Sequence, residues 1–197
     1  DVMADFCLDT KLNLSPTYLK PGSAFGGSCL PKDLRALLYH ARNSDVDVPV
    51  LQAILPSNEL QKDLAFQQVR ATGKRRIGML GLSFKAGTDD LRESPAVQLA
   101  EMLIGKGYEL AIYDQNVSLA RLVGANRAYI ENEIPHLSSL MRESIAGVED
   151  FAEVLVVTTP DPDFKKVARG DFEDRLVVDL VGLLRDDPPQ HYQGICW

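Results

Sequence analysis

The stretch Arg75–Asp114, "RRIGMLGLSFKAGTDDLRESPAVQLAEMLIGKGYELAIYD", contains two short apolar runs on either side of a longer segment with helical signals. The outer runs, "RRIGMLGLS" and "YELAIYD", have the length and aliphatic content of strands. Between them Ser94 suits an N-cap, Pro95 suits the first helical position, and Gly107 stands where a glycine commonly ends a helix. The stretch therefore predicts a strand–helix–strand unit.

The remainder of the C-terminal region continues this alternation. Two further apolar runs, "AEVLVVTT" at 152–159 and "RLVVDL" at 175–180, are typical of strands. The segment "RDDPPQHYQ" at 185–193 is instead typical of a solvated loop. Because strands that alternate with helices form parallel sheets with both faces covered, we predict that residues 72–197 form an α/β domain with a Rossmann-like parallel sheet.

The region before this domain, residues 1–71, shows helical periodicity and no clear strand. The segment "KDLRALLYHARN" has apolar residues at positions i, i+3, i+4 and i+7, and a helical pattern continues in "NELQKDLAFQQVRA". The sequence thus predicts a helical segment, 1–71, ahead of the parallel-sheet domain. The four apolar residues of the first segment are Leu34, Leu37, Leu38 and Ala41.

The charge balance limits the classes of partner. A net charge of −7 disfavours a general binder of nucleic acid or of anionic membranes, although a local basic cluster can still hold a small anionic ligand. No apolar run approaches the roughly 20 residues needed to span a bilayer. The chain is therefore expected to be soluble, with a phosphate-bearing small molecule among its possible ligands.

Three cysteines and three histidines are spread along the chain without close spacing. This distribution fits neither a disulfide framework nor a CxxC metal site, and it gives little support to zinc or to a histidine-paired thiol. The sequence therefore predicts no metal and a reducing, cytoplasmic location. Cys7 and Cys196 are interpreted as ordinary packing or surface residues, and the histidines are His40, His136 and His191.

The segment "FGGSCLPKD" places Cys29 immediately before a run of helical character. Gly26 and Gly27 permit positive φ angles and the close approach of a ligand to bare backbone, and Pro31 suits the first turn of a helix. At a helix N-terminus, with Lys32 nearby, the local positive charge favours thiolate over thiol. The segment is thus compatible with a nucleophilic cysteine.

A structural interpretation of the same residues is equally open at this point. Cys29 could be a small buried hydrophobic residue beside a glycine turn, and Asp33 could be an acid in the first turn of a helix, which is common. The spacing of the residues does not decide between the two interpretations.

Two long motifs carry a resemblance to a known family. The first motif, "YLKPGSAFGGSCLPKD" at 18–33, resembles the catalytic-cysteine motif of the UDP-glucose/GDP-mannose 6-dehydrogenase family, and the second motif, "LGLSFKAGTDDLRESP" at 80–95, resembles a signature of its C-terminal domain. The similarity covers essentially the whole chain. The segment "FKAGTDDLRESP" and the ending "GICW" look more like the GDP-mannose branch.

This resemblance implies an NAD-dependent enzyme that oxidises the C6 alcohol of a sugar nucleotide to a carboxylate in two hydride transfers. On the GDP-mannose branch the product is GDP-mannuronate, a precursor of alginate. In the motif, Cys29 matches the nucleophile that forms a thiohemiacetal and then a thioester. Asp33 matches the acid that helps water release the product, and Lys32 lies on the cofactor side of the site.

The resemblance also implies which residues contact the ligands. Lys85 is expected to contact the sugar nucleotide, and Arg92 is expected to reach the NAD pyrophosphate. Thr17 and Ser23 stand where GDP-mannose enzymes often have an aromatic residue, so the shape of the nucleotide pocket is an open point. The expected substrate-binding residues are Thr17, Tyr18, Lys20, Ser23, Gly26 and Lys85.

Structural alternatives exist for the second motif and for the strand that follows it. Arg92 could pair with a neighbouring carboxylate of Asp89, Asp90 or Glu93. Asp114 could mimic a ribose-binding acid, although a loop or capping role is favoured. The glycines of "GMLGLS" have G-x-x-G spacing, which is not the dinucleotide fingerprint, so this domain is assigned to the sugar nucleotide rather than to NAD.

Family members begin with an NAD-binding Rossmann domain, and no sequence of that kind occurs in this chain. The chain is therefore expected to be the C-terminal portion of such an enzyme, inactive alone, and to form a homodimer through its helical segment, with possible exchange of helices. Two other functions are considered: oxidation of UDP-glucose or a UDP-aminosugar by the same fold, and a non-catalytic dimerisation or nucleotide-binding module with an inert cysteine.

Overall fold

The computed structural model describes residues 5–12, 15, 22–117, 134–168, 176–186, 188 and 190–195. Their centre is a five-stranded, all-parallel sheet, which confirms the predicted α/β class. The strands are β1 Arg76–Leu80, β2 Glu109–Tyr113, β3 Val154–Val157, β4 Leu176–Asp179 and β5 Tyr192–Gly194. The helices are α1 Leu30–Asn43, α2 Pro49–Ala71, α3 Pro95–Gly105, α4 Pro135–Ser138, α5 Ile145–Glu149 and α6 Pro162–Ala168.

The strand–helix–strand unit is confirmed, and its helix has the predicted ends. The Ser94 hydroxyl accepts a hydrogen bond from the amide of Ala96 as the N-cap of α3, and Pro95 opens that helix. Gly107 follows the helix with a φ of +77°. Because that left-handed conformation suits glycine, the chain leaves α3 there and enters β2 two residues later.

One prediction about the C-terminal segment is wrong. Residues 185–193 were expected to form a loop, but Tyr192 and Gln193 belong to β5, which pairs in parallel with β4. The Gln68 side chain of α2 donates a hydrogen bond to the Gly194 carbonyl at 2.8 Å. This three-residue strand has no apolar run that could reveal it in the sequence, so its position depends on long-range pairing.

The strand order, β2-β1-β3-β4-β5, places a topological switch point between β1 and β3. The chain moves from β1 to β2 on one side and later returns to build β3 and β4 on the other. In open parallel sheets the crevice outside the carboxyl ends of such strands is the usual ligand site. A ligand site is therefore expected beside the segments that follow β1 and β3.

The helical segment and the sheet share one hydrophobic core. Ala65, Phe66 and Val69, in the second half of α2, are buried in the same cluster as β1 and α3. The proposed division of the chain at residue 71 coincides with the end of α2, yet the last turns of this helix already pack against the domain that follows. A second cluster, which includes Val148 of α5 and Phe164 of α6, covers the other face of the sheet.

Helix α1 has a much smaller buried face. Pro31 and Leu34 are its buried residues, whereas Leu37 is half exposed. The first half of α2 likewise exposes Val50 and Leu60. Among the described helices, none combines the length and apolar character required to cross a membrane.

Candidate functional site

A cavity of about 290 Å³ lies at the switch point of the sheet. Ser83 and Lys85 line it from the segment after β1, Thr158 and Thr159 from the segment after β3, and Lys62 from α2. Residues 22–24, which lead into the glycines before Cys29, close it on another side. The cavity therefore joins the carboxyl edge of the sheet to the segment that carries the cysteine.

Cys29 occupies the N-cap position of α1, and its side chain is exposed. Its Sγ atom lies 3.9 Å from the Oγ atom of Ser28, within hydrogen-bonding distance for sulfur. The alternative interpretation of Cys29 as a buried packing residue is therefore wrong. An exposed thiol at the start of a 14-residue helix is open to a ligand and feels the positive end of the helix dipole.

The two glycines before the cysteine are required for packing within the chain. A Cβ on Gly26 would stand 2.2 Å from the Glu93 carbonyl oxygen and 2.6 Å from Cδ of Pro95. Gly27 has a φ of +91°, and a Cβ on this residue would stand 2.8 Å from Cε2 of the Phe84 ring. The sequence predicted that a ligand closely approaches Gly26. In the structure, the space that a Cβ on Gly26 would occupy is filled by residues of the second motif.

The cysteine loop, residues 22–29, is also held from α2. The amide of Phe25 donates to Oδ1 of Asn58 at 2.8 Å, and Nδ2 of Asn58 donates to the Phe25 carbonyl at 2.9 Å. Both backbone groups of Phe25 are thus satisfied by one buried side chain. Asn58 was not among the predicted site residues, although a polar residue on the inner face of an otherwise periodic helix signals such a contact.

Lys62 is a second residue of α2 that the sequence analysis missed. Its side chain is 8% exposed and forms an ion pair with Glu59 at 2.6 Å and a hydrogen bond to Gln98. The nearby Oγ1 atom of Thr159 is buried and has no hydrogen-bond partner among the described residues. A buried ammonium and an unpartnered hydroxyl thus line the same cavity, and such polar groups can bind an anionic, hydrogen-bonding ligand.

Arg92 forms the intramolecular pair that the structural alternative anticipated. Its Nε and Nη2 atoms donate to the two carboxylate oxygens of Asp90, each at 2.8 Å. This pairing lowers the pKa of Asp90 and raises that of Arg92. A smaller contribution to the Arg92 shift comes from Cys29, so the guanidinium lies within electrostatic range of the thiol. The Arg92 side chain is 46% exposed and can still meet a phosphate.

A second arginine–carboxylate pair connects α1 to the second motif. Arg35 of α1 donates from Nη1 to Oε1 of Glu93 at 2.8 Å and from Nη2 to Oε2 at 2.7 Å. The hydrogen bond to Arg35 is the main cause that lowers the pKa of the Glu93 carboxyl group, with further lowering by the charges of Arg35 and Lys62. Neither residue was predicted to belong to the site.

The other residues named in the sequence analysis lie on α1, along the cavity, or outside the described residues. Lys32 and Asp33 are exposed in the first turn of α1, with Nζ and Oδ1 3.4 Å apart. Ser23 and Lys85 line the cavity. Thr17, Tyr18, Lys20 and Cys196 lie outside the described residues. Within the described part of the chain, no group of three or more potential metal ligands comes together.

Asp114 has the structural role favoured by the sequence analysis. Its Oδ2 atom accepts hydrogen bonds from the amides of Leu82 and Ser83, and Oδ1 accepts from those of Asn116 and Val117. The buried carboxylate thus ties the end of β2 to the segment that leaves β1 towards the cavity. With both oxygens engaged by the chain itself, Asp114 acts as a loop-holding residue.

Replacing Asp114 by asparagine is expected to lower the free energy of unfolding by about 2–4 kcal/mol, because an amide NH₂ would face two backbone donors and leave them unpaired. Urea denaturation of the chain measures this difference. The matched control is Asp47→Asn at an exposed loop position, which should change stability by less than about 0.5 kcal/mol. Equal stability of the two variants would contradict this role.

Comparison with known proteins places both parts of the chain in one family. Residues 78–186 match the description "UDP-glucose/GDP-mannose dehydrogenase family, UDP binding domain", and residues 1–60 match the central domain of the same family. The chain is 51% identical over its whole length to the GDP-mannose 6-dehydrogenases of Pseudomonas putida and Pseudomonas aeruginosa. It is 35% identical, over 82% of its length, to a UDP-glucose 6-dehydrogenase of P. aeruginosa.

The chain is also similar to solved structures of dehydrogenases. A ternary complex of GDP-mannose dehydrogenase from P. aeruginosa covers the whole chain with a TM-score of 0.88 and 51% identity. A UDP-glucose dehydrogenase from the archaeon Pyrobaculum islandicum covers it with a TM-score of 0.79 and 26% identity. The chain spans 45% of the length of the GDP-mannose relatives and of the first of these structures.

Proposed function

The chain belongs to the UDP-glucose/GDP-mannose dehydrogenase family, and from this premise we propose that it is the C-terminal part of an enzyme that oxidises GDP-mannose to GDP-mannuronate. The observation that carries the proposal is the exposed thiol of Cys29 at the start of α1, in a loop that lines the switch-point cavity. The higher identity to GDP-mannose enzymes than to UDP-glucose enzymes favours the GDP-mannose substrate.

The proposed role of Cys29 is to capture the aldehyde formed by the first oxidation. The C–H bond of an aldehyde can transfer a hydride only after a nucleophile has added to the carbonyl carbon and made it tetrahedral. When the Cys29 thiolate adds, the carbonyl oxygen takes up a proton and a thiohemiacetal forms; its oxidation leaves a thioester. Water then cleaves the thioester, which releases the carboxylate and returns the thiol. Asp33, in the first turn of the same helix, is suited to orient that water.

Members of this family use NAD, which, when bound, accepts the hydride in each of the two oxidations. The exposed cations Lys32 and Arg92 fit the anionic pyrophosphate of such a cofactor. The glycines of this region do not fit it as well: Gly78, within β1, packs against Val148, and Gly81, immediately after β1, packs against Thr159. We therefore assign the principal NAD site to an N-terminal domain outside this chain, without which the chain is inactive.

The cavity at the switch point is proposed to hold the nucleotide. Lys85 supplies an exposed cation for a phosphate, Lys62 a buried ammonium, and Thr159 an unpartnered hydroxyl. Ser23 lies at the edge, where a larger aromatic residue would occupy part of the volume. The proposed contacts of Thr17, Tyr18 and Lys20 with the substrate extend this site beyond the described residues.

A homodimer is part of the proposal. Apolar side chains on α1 and between positions 50 and 64 of α2 are exposed, and a second copy of the chain can cover them, with or without exchange of helices. The exposed residues are Leu37, Tyr39, Val50, Leu60 and Leu64. A cytoplasmic location and a place in alginate precursor synthesis are likewise predictions.

The test of the proposed function compares sugar nucleotides with the full-length enzyme. GDP-mannose with NAD is expected to give saturable NADH formation and about two NADH per sugar nucleotide, because the thioester forms only through a second oxidation. Formation of NADH from UDP-glucose or a UDP-aminosugar in preference would favour the alternative substrate class. If none of these sugar nucleotides gave NADH, the result would contradict the proposed enzymatic activity and favour a non-catalytic module.

A further inference from the structure

Glu93 has an unusual backbone conformation at the point where the two motifs meet. Its φ of +49° lies in the left-handed region, which residues with a Cβ rarely adopt. The residue stands between Arg92 and Ser94, the N-cap of α3, and its carbonyl oxygen packs against Gly26. Such strain persists only where the surrounding contacts hold it in place, and it tends to occur at functional positions.

The side chain of Glu93 provides a contact between the second motif and α1. Its two carboxylate oxygens receive parallel hydrogen bonds of 2.8 and 2.7 Å from the guanidinium of Arg35, 58 residues earlier in the chain. A bidentate pair of this kind restricts orientation as well as distance. A lysine could supply the charge at position 35 but not the two parallel bonds.

Among the described residues, helix α1 has few other contacts that fix its position. Pro31 and Leu34 are its buried residues, and the side chains of Lys32 and Asp33 are each about two-thirds exposed. The loop before it is held by Asn58 through Phe25, on the α2 side. The Arg35–Glu93 pair therefore supplies the polar attachment of α1 to the second motif.

We propose that the Arg35–Glu93 ion pair is a positioning device that fixes the start of α1, and with it the Cys29 thiol, against Arg92 and the second motif. Neither residue touches the reacting atoms; both act through Cys29. The inference rests on the proposed function for the role of the thiol, and it adds two residues outside the predicted site that set the thiol's place and electrostatic surroundings.

The test uses the full-length enzyme with Arg35→Lys and Glu93→Gln, which keep approximate size while removing the bidentate pair. Both are expected to lower kcat by about 10-fold or more through misplacement of the thiol, with KM values for sugar nucleotide and NAD changed less than about threefold. The matched control is Arg42→Lys, at an exposed position in the last turn of the same helix, which should leave kcat unchanged.

The second readout is the rate of alkylation of Cys29 by iodoacetamide at one fixed pH, followed by mass spectrometry of its peptide. In both variants this rate is expected to change in the same direction, by about threefold or more relative to Arg42→Lys, because the start of α1 is no longer tied to the second motif. Because alkylation needs no turnover, this result stands or falls separately from the proposed enzymatic activity.

Exchange of the charges gives the reciprocal test. The double variant Arg35→Glu with Glu93→Arg is expected to recover much of the lost kcat and to return the alkylation rate towards that of the unmodified enzyme. Unchanged kcat and alkylation rate in the single variants would overturn the proposal. It would also be overturned by single variants that unfold at the assay temperature, or that lose kcat with an unchanged alkylation rate, because both results would indicate a purely structural pair.

Discussion

Cys29→Ser in the full-length enzyme is expected to reduce formation of the uronic acid by about 10³-fold or more, the scale on which loss of a covalent nucleophile acts. A serine hydroxyl at the N-cap of α1 is a much weaker nucleophile than the exposed sulfur of Cys29 that it replaces. Substrate binding should be little affected, because the two side chains are close in size.

The measurement is the amount of acid and of NADH formed per sugar nucleotide consumed. Loss of acid with residual aldehyde, and NADH falling from about two towards one per sugar, would locate the defect at the second oxidation. Cys7→Ser is the matched control, since Cys7 is a half-buried thiol that the proposal gives no role. Acid formation by Cys29→Ser at the normal rate would exclude the covalent route and favour the interpretation of the cysteine as inert.

Gly26→Ala is expected to impair both folding and activity. The new Cβ would stand 2.2 Å from the carbonyl oxygen of Glu93, a backbone atom that cannot rotate away, and 2.6 Å from Cδ of Pro95. Relief requires the cysteine loop to separate from the second motif, at a cost of about 1–3 kcal/mol in unfolding free energy. The displaced thiol should lower kcat by about 10²-fold.

Urea denaturation and steady-state kinetics of the full-length enzyme measure the two effects. The control is Gly105→Ala at the end of α3, where a Cβ meets nothing within 4 Å; it should preserve activity and leave stability unchanged or slightly higher, because alanine favours helix. Normal kinetics for Gly26→Ala would show that the loop tolerates separation from the second motif, contrary to the proposed arrangement.

The fold was largely predictable because its signals are local. Apolar runs marked the four strands from β1 to β4, and the cap residues Ser94, Pro95 and Gly107 marked the ends of α3, since capping depends on neighbours a few residues away. Strand β5 was missed because a three-residue edge strand is defined by its pairing with β4 and not by its own composition.

The candidate site was predictable only in part. The motifs pointed to Cys29, Lys85 and Arg92, and the structure places Lys85 in the cavity and Arg92 within electrostatic range of the thiol. Asn58 and Lys62 were missed, because a polar residue on a helix reveals its partner only when another segment packs against it. Both lie on the inner face of α2, four residues apart.

The sequence by itself determined the alternation of strands and helices, the ends of the central helix, and the presence of a cysteine at a helix start, since each depends on contacts between near neighbours. The tertiary structure decided what that cysteine faces. Arg35 and Glu93 are 58 residues apart, and Phe25 and Asn58 are 33 apart. Contacts at such separations form only when the sheet and its helices pack, because no local preference specifies which distant groups will meet.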